Sequence, residues 1–274
     1  MAELPPGSTR NALTNELPEP LLHFDASPFA ARLAEVDSLR TRYQDALRAN
    51  LILPNTLETL RVELTYHSNA IEGSTLSLRD TQLVIEGREP NSGKSLREIY
   101  EARNHDRALR KIEAWASAGS QPLPLTEKNV LDIHAEVMAD IDPKGAGLFR
   151  TNRVLITGTR FIPPGNHKFA ELIPTLISLA NQPHPHPIIQ AAEFHYNIVA
   201  VHPFNDGNGR TARLMMNYHL LRHGYPLAIV PIDKRSDYLA ALDEANTGRS
   251  QPLSTLLIQC VEDSIYRLIG EADA

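Results

Sequence analysis

With one cysteine, Cys260, the chain cannot close an intrachain disulfide. Its fold must rest on its core, and the composition fits a reducing compartment. An excess of positive charge is missing as well: the formal net charge is -6. A surface that grips nucleic acid regardless of sequence is usually basic, so that class is set aside. No uninterrupted apolar run approaches the roughly 20 residues a membrane helix needs. The opening MAELPPGSTRNALTNELPEPLL has no basic stretch followed by an apolar core, so it does not read as a secretory signal. The expectation is a soluble cytoplasmic protein with no nucleic-acid and no membrane partner. At 274 residues it can hold a catalytic core with a smaller appended lobe.

Residues 1–26 carry Pro, Gly, Ser and Asn without periodicity and read as a flexible arm. From Ser27 helical punctuation takes over, with Ser27-Pro28 as a helix start and Leu33, Val36, Leu39, Tyr43 and Leu47 at helical spacing. A second helix runs from Thr56 and stops at Gly73. Ser95 and Glu98 form a capping-box pattern, and Thr126 caps a further helix. Over 145–166 the pattern breaks. β-branched residues around Thr157-Gly158-Thr159, bounded by Gly and Pro-Pro, predict a short hairpin. Helical periodicity returns at 168–180, 188–201, 210–223, 236–246 and 252–269. The fold class is mainly α with one hairpin.

Chemistry concentrates between two of these helices, in His202-Pro203-Phe204-Asn205-Asp206-Gly207-Asn208-Gly209-Arg210-Thr211-Ala212-Arg213. Two glycines spaced by one residue at the start of a helix let backbone N–H groups converge on an anion, and the helix dipole adds to that preference. Arg210 and Arg213, at i and i+3, share a face of the first turn and suit a polyphosphate. Asp206 supplies a hard oxygen ligand for Mg²⁺. His202 can accept a proton near neutral pH.

This segment is similar to the signature of the Fic (Fic/Doc) family, H-P-F-x-[DE]-G-N-G-R-x-x-R, and every specified position is met. The resemblance covers about residues 60–262. It implies a helical Fic core with a β-hairpin flap, and transfer of AMP from ATP to a Ser, Thr or Tyr hydroxyl of a target protein. Carried over, His202 is the base and Asp206 holds Mg²⁺. Asp206, Gly207, Asn208, Gly209, Arg210, Thr211 and Arg213 bind the nucleotide, with Tyr238, Leu239 and Asn246 near the nucleoside. Val154, Leu155, Ile156, Thr157 and Gly158 form the target-binding flap. Where some relatives carry two adjacent tyrosines, this chain has Tyr238-Leu239, and Tyr238 reads equally as core of an amphipathic helix.

Ser68-Asn69-Ala70-Ile71-Glu72-Gly73 sets Ser68 and Glu72 on one helical face, ahead of a glycine stop. Alone, the fragment reads as a solvated glutamate. Beside the signature it resembles the inhibitory motif [ST]-x-x-x-E-[GN] of autoinhibited Fic proteins, which implies that Glu72 pairs with Arg213 and blocks the γ-phosphate. The expected division is then 1–26 as arm, 27–125 as a helical region carrying that motif, and 126–270 as catalytic core.

Removal of AMP from a target, transfer of another nucleotide, and a non-enzymatic nucleotide sensor are the alternatives. Self-modification and a homodimer stay open. His219 and His223 read as a surface pair, and His184-Pro185-His186-Pro187 as a turn without a metal role. His195, Trp115 and Cys260 read as packed core residues.

Overall fold

The computed structural model describes residues 17–90, 93–118 and 124–272. Among them ten α-helices follow one another. The first five are α1 (Ala30–Arg48), α2 (Pro54–Ile71), α3 (Leu78–Ile85), α4 (Leu96–Ser117) and α5 (Glu127–Met138). The others are α6 (Phe169–Asn181), α7 (Pro187–Val201), α8 (Asn208–Arg222), α9 (Arg235–Ala245) and α10 (Gln251–Ala272).

Local signals explain half of the α-helix starts. Ser95 with Glu98, and Thr126 with Asn129, close reciprocal capping boxes at α4 and α5. Proline opens α2 and α7, where no N–H is needed. Helix α3 has no counterpart in the sequence reading, although Ser77 and Asp80 form a third capping box. Ser27 does not cap α1 directly. It opens a 3₁₀ turn, Ser27–Phe29, and its own N–H donates to Asp25 Oδ1 at 2.9 Å.

Helices α7 and α8 form the centre. Helix α7 is buried almost all round, from Ile188 to Val201, as is α8 from Arg210 to Leu220. A helix buried on every face needs neighbours on every face. Two apolar clusters do this. One gathers α1, α9 and α10 around Ala192, Tyr196, Met216 and Leu220. The other gathers α4, α5 and α6 around Phe194, Ile198, Ala212 and Met215. Both draw residues from either side of position 125.

Two expectations are corrected. Residues 17–26 are not a loose arm: Leu17, Leu21, Phe24 and Ala26 are buried. Full burial of a Phe side chain stabilises by about 1.5–3 kcal/mol, and side chains of α7 satisfy the backbone here. Asn197 Oδ1 accepts from Leu22 N–H at 2.9 Å, and Asn197 Nδ2 donates to Leu22 O at 3.0 Å. Residues 1–16 lie outside the described residues.

The hairpin is the second correction. Residues 153–164 form a loop with a turn at Thr157-Gly158 and no strand ladder. Its two ends are joined by a side chain instead: Arg150 donates to Asn152 O and to Pro164 O, each at 2.6 Å. Gly158 sits at φ +90°, a conformation open to glycine.

Candidate active site

The site is built where α7 stops and α8 starts. Pro203 disfavours helical backbone at the residue before it, so α7 ends at His202. His202 adopts left-handed backbone, φ 49°, a costly conformation for a residue with a Cβ. Its Nδ1 lies 3.3 Å from Val199 O. A carbonyl only accepts, so the proton sits on Nδ1 and the Nε2 lone pair is left free. Burial, reinforced by the Arg150 charge, holds the imidazole below its ordinary value against the opposing pull of the Val199 contact, Glu72 and Asp206. His202 is therefore neutral near pH 7.

The loop after His202 is closed from inside. Asn208 Oδ1 accepts from Phe204 N–H at 3.0 Å, and its Nδ2 donates to Phe204 O at 2.9 Å. The Asn208 side chain is thus committed to the loop, leaving backbone groups to face an anion. Gly207, at φ +75°, turns the chain into α8. The leading N–H groups of α8 have no intrahelical acceptor.

Asp206 is half-exposed beside that turn. Its Oδ1 accepts from Gly207 N–H at 2.6 Å, and its Oδ2 lies 2.5 Å from Arg97 Nη2 of α4. Burial would raise this carboxyl, but Arg210, the Gly207 N–H and Arg97 together hold it below the usual range. It stays ionised, as a hard oxygen donor must.

Both arginines of the first turn are buried. Arg210 sits between Glu101 Oε1 at 3.1 Å and Asp206 Oδ1 at 3.4 Å. The Glu101 contact is an ion pair without hydrogen-bond alignment, and Arg210 Nε has no hydrogen-bond partner. Arg213 donates from Nε to Ser68 Oγ at 3.0 Å and from Nη2 to Ser68 O at 2.8 Å. The same Nη2 reaches Glu72 Oε1 at 2.7 Å. A Cβ added at Gly209 would lie 2.2 Å from Glu72 Oε1. The Glu72 carboxylate therefore rests against the opening turn of α8, where an anion is favoured. Helix α2 is anchored for this contact: Arg235 Nε donates to Ile71 O at 2.8 Å.

Sequence reasoning overlooked two residues. The Arg150 Nε donates to His202 O at 2.7 Å while its other nitrogens hold the loop ends. All three acceptors are carbonyls. His134 of α5 accepts from Gly147 N–H at Nδ1, 3.0 Å, which fixes its proton on Nε2, and that nitrogen lies 3.1 Å from Asp206 O. Its ring stacks on the buried Phe204 at 3.6 Å, and burial pushes its pKa down to about 4. The one available hint was a histidine beside the apolar stripe Val130, Ile133, Val137.

The remaining residues divide. Asn246 lines a cleft of about 690 Å³ with Gly158, Thr159, Phe161 and Asp243. Thr159 Oγ1 donates to Asp243 Oδ1 at 2.6 Å, tying the loop to α9. Leu155 projects outward, 80% exposed, and Leu239 is also exposed. Tyr238 is buried, its hydroxyl 3.4 Å from Arg213 Nη1 and 3.0 Å from His195 Nε2. Thr211 is buried within α8. His219 is not a surface residue: it is fully buried, with its ring 4.7 Å from that of His223, because α8 is enclosed on all sides. His195 and Cys260 are buried as expected, and burial pushes the Cys260 thiol up to about 12.

In this mainly helical fold, a neutral histidine, an ionised aspartate and two buried arginines gather around one helix N-terminus, an arrangement suited to an anion. A family model described as the Fic/DOC family matches residues 124–220. The protein adenylyltransferase Fic of Drosophila melanogaster is 36% identical over 237 residues, covering 85% of this chain and 47% of the relative. The chain thus spans about half the length of the curated relatives it matches. Among solved structures, Fic-1 from C. elegans superposes with a TM-score of 0.76 at 33% identity, covering 89% of this chain and 74% of that one. A Fic-domain signaling protein from Bacteroides thetaiotaomicron gives 0.76 at 25% identity, covering 87% and 96%. The chain belongs to the Fic/DOC family.

Proposed function

We propose that this chain is a protein adenylyltransferase that moves AMP from ATP to a Ser, Thr or Tyr hydroxyl of a target protein, and that Glu72 restrains it. The observation that carries the reading is the free Nε2 of a neutral His202 beside the N-terminus of α8. His202 Nε2 takes the hydroxyl proton as that oxygen attacks the α-phosphorus. The bond from the α-phosphorus to the bridging oxygen breaks, and pyrophosphate leaves with the electron pair. Arg210, Arg213 and the N–H groups of Gly209 and Arg210 hold the polyphosphate.

Asp206 suits Mg²⁺: an ionised, half-exposed carboxylate beside the phosphate site matches an ion that takes one or two carboxylates and fills its shell with water and phosphate oxygens. Bound there, the ion would neutralise phosphate charge. Asn246 and the cleft beside it suit the nucleoside, and residues 154–158, with Leu155 outward, suit the target. Backbone pairing of an extended target segment along the loop is part of this proposal.

Restraint follows from competition between two anions for one guanidinium. While Glu72 pairs with Arg213, a terminal phosphate is denied both that guanidinium and the space above Gly209. Incubation with ATP labelled at the α-phosphate tests the reaction class. Protein-bound label is expected with the intact chain and lost in His202→Ala; label that persists in that variant contradicts the reading.

A further inference from the structure

Away from the α7–α8 turn, against the middle of α7, a buried carboxylate meets two imidazoles. Glu193 Oε2 of α7 lies 2.9 Å from His23 Nδ1 and 3.7 Å from His184 Nε2. The three ligating atoms all lie within 4.8 Å of one another. Side-chain exposure is 2% for both Glu193 and His184, and 21% for His23. The two rings lie T-shaped, with centroids 5.1 Å apart. Phe24 O is 3.2 Å from His184 Nε2 and adds a fourth donor.

We propose that these groups form a structural zinc site, with His23 Nδ1, His184 Nε2 and Glu193 Oε2 as ligands and Phe24 O closing the shell. Zinc takes imidazole and carboxylate donors at about 2.0–2.2 Å, which in a tetrahedron separates ligand atoms by about 3.3 Å. The observed 2.9 and 3.7 Å fall on either side of that spacing. Ligand chemistry is also satisfied. Without metal, His184 Nδ1 accepts from His186 N–H at 3.1 Å and Nε2 carries the ring proton toward Phe24 O; with zinc bound, the ring takes the other tautomer, its Nδ1 donating to His186 O at 3.0 Å and its Nε2 lone pair facing the metal. Glu193 Oε2 already accepts from Phe24 N–H at 2.7 Å and keeps a second lone pair. Without metal, a proton on His23 Nδ1 bridges to Glu193; zinc replaces that proton, which passes to solvent. The ion fastens the 17–26 segment to the helix that ends in His202. The proposal is independent of the transfer reaction.

The test uses the full chain with Mg²⁺ in excess, so that Asp206 does not take up the transition metal. Equilibrium dialysis against Zn²⁺ is expected to leave about one equivalent per chain, and Co²⁺ in its place to give the intense visible absorption of tetrahedral cobalt. His23→Gln, at the most exposed ligand, is expected to abolish both signals while the circular-dichroism spectrum stays native. His223→Gln is expected to leave them unchanged. Absence of stoichiometric metal in the intact chain overturns the site. So does metal that survives His23→Gln or disappears in His223→Gln.

Discussion

The guanidinium of Arg150 donates to the carbonyl oxygen of His202 at 2.7 Å, joining His202 to both ends of the 153–164 loop. Neither residue reaches the other through sequence-local structure. Arg150 is a positioning residue. Its loss leaves carbonyls unsatisfied and the His202 ring less well aimed. A misplacement near 1 Å can cost about 10²-fold. Arg150→Lys, which keeps charge but not the three-way fork, is expected to lower kcat by about that much with little change in KM for ATP. Unchanged kcat contradicts the positioning role.

pH dependence follows from His202. Burial holds it below 6.5, and only the neutral ring can take a proton. Asp206 is depressed and stays ionised throughout that range. The acid limb of kcat/KM for transfer is therefore expected below pH 6.5, with full activity above it. A limb at pH 7 or higher would count against His202 as the base.

His134→Phe keeps the ring stacked on Phe204 but removes the donor to Asp206 O and the acceptor for Gly147 N–H. Leaving a buried polar group unpaired costs about 1–3 kcal/mol. Urea unfolding is expected to report a loss of that size. A loss below about 0.5 kcal/mol, the level of an ordinary surface change, shows these contacts to be dispensable.

Gly209→Ala places a methyl where the Glu72 carboxylate lies and where the proposed reading seats a phosphate. The new methyl displaces Oε1, the mobile end of a side chain, so stability is expected to change by no more than about 1 kcal/mol. The methyl also occupies the anion site, so ATP affinity measured by calorimetry is expected to fall. Binding as tight as in the parent chain contradicts the location assigned to the phosphates.

How far the sequence reached varies with distance along the chain. Caps and periodicity gave α6 through α9 to within a residue or two, and the starts of α4, α5 and α10, because Ser95, Thr126 and Pro187 act on their own helices. His202, Asp206, Arg210 and Arg213 were legible because a single turn contains them. Arg150 and His134 were not, since each acts across a gap that only tertiary packing closes. The 153–164 segment has β-branched residues in turn-bounded order, yet its backbone acceptors go to an arginine instead of a second strand. His184 looked like part of a turn because Glu193 and His23 reach it only in the fold.

On the proposed reading, His202 performs transfer and Glu72, through Arg213, holds it off. The most direct measurement is the rate of label incorporation from α-labelled ATP in Glu72→Gly, in Glu72→Gly with His202→Ala, and in the parent chain. Freeing a buried guanidinium from an ion pair of 2.7 Å is expected to raise the rate more than about tenfold, and the second substitution to abolish it. An unchanged rate in Glu72→Gly, or incorporation that survives without His202, would contradict the account.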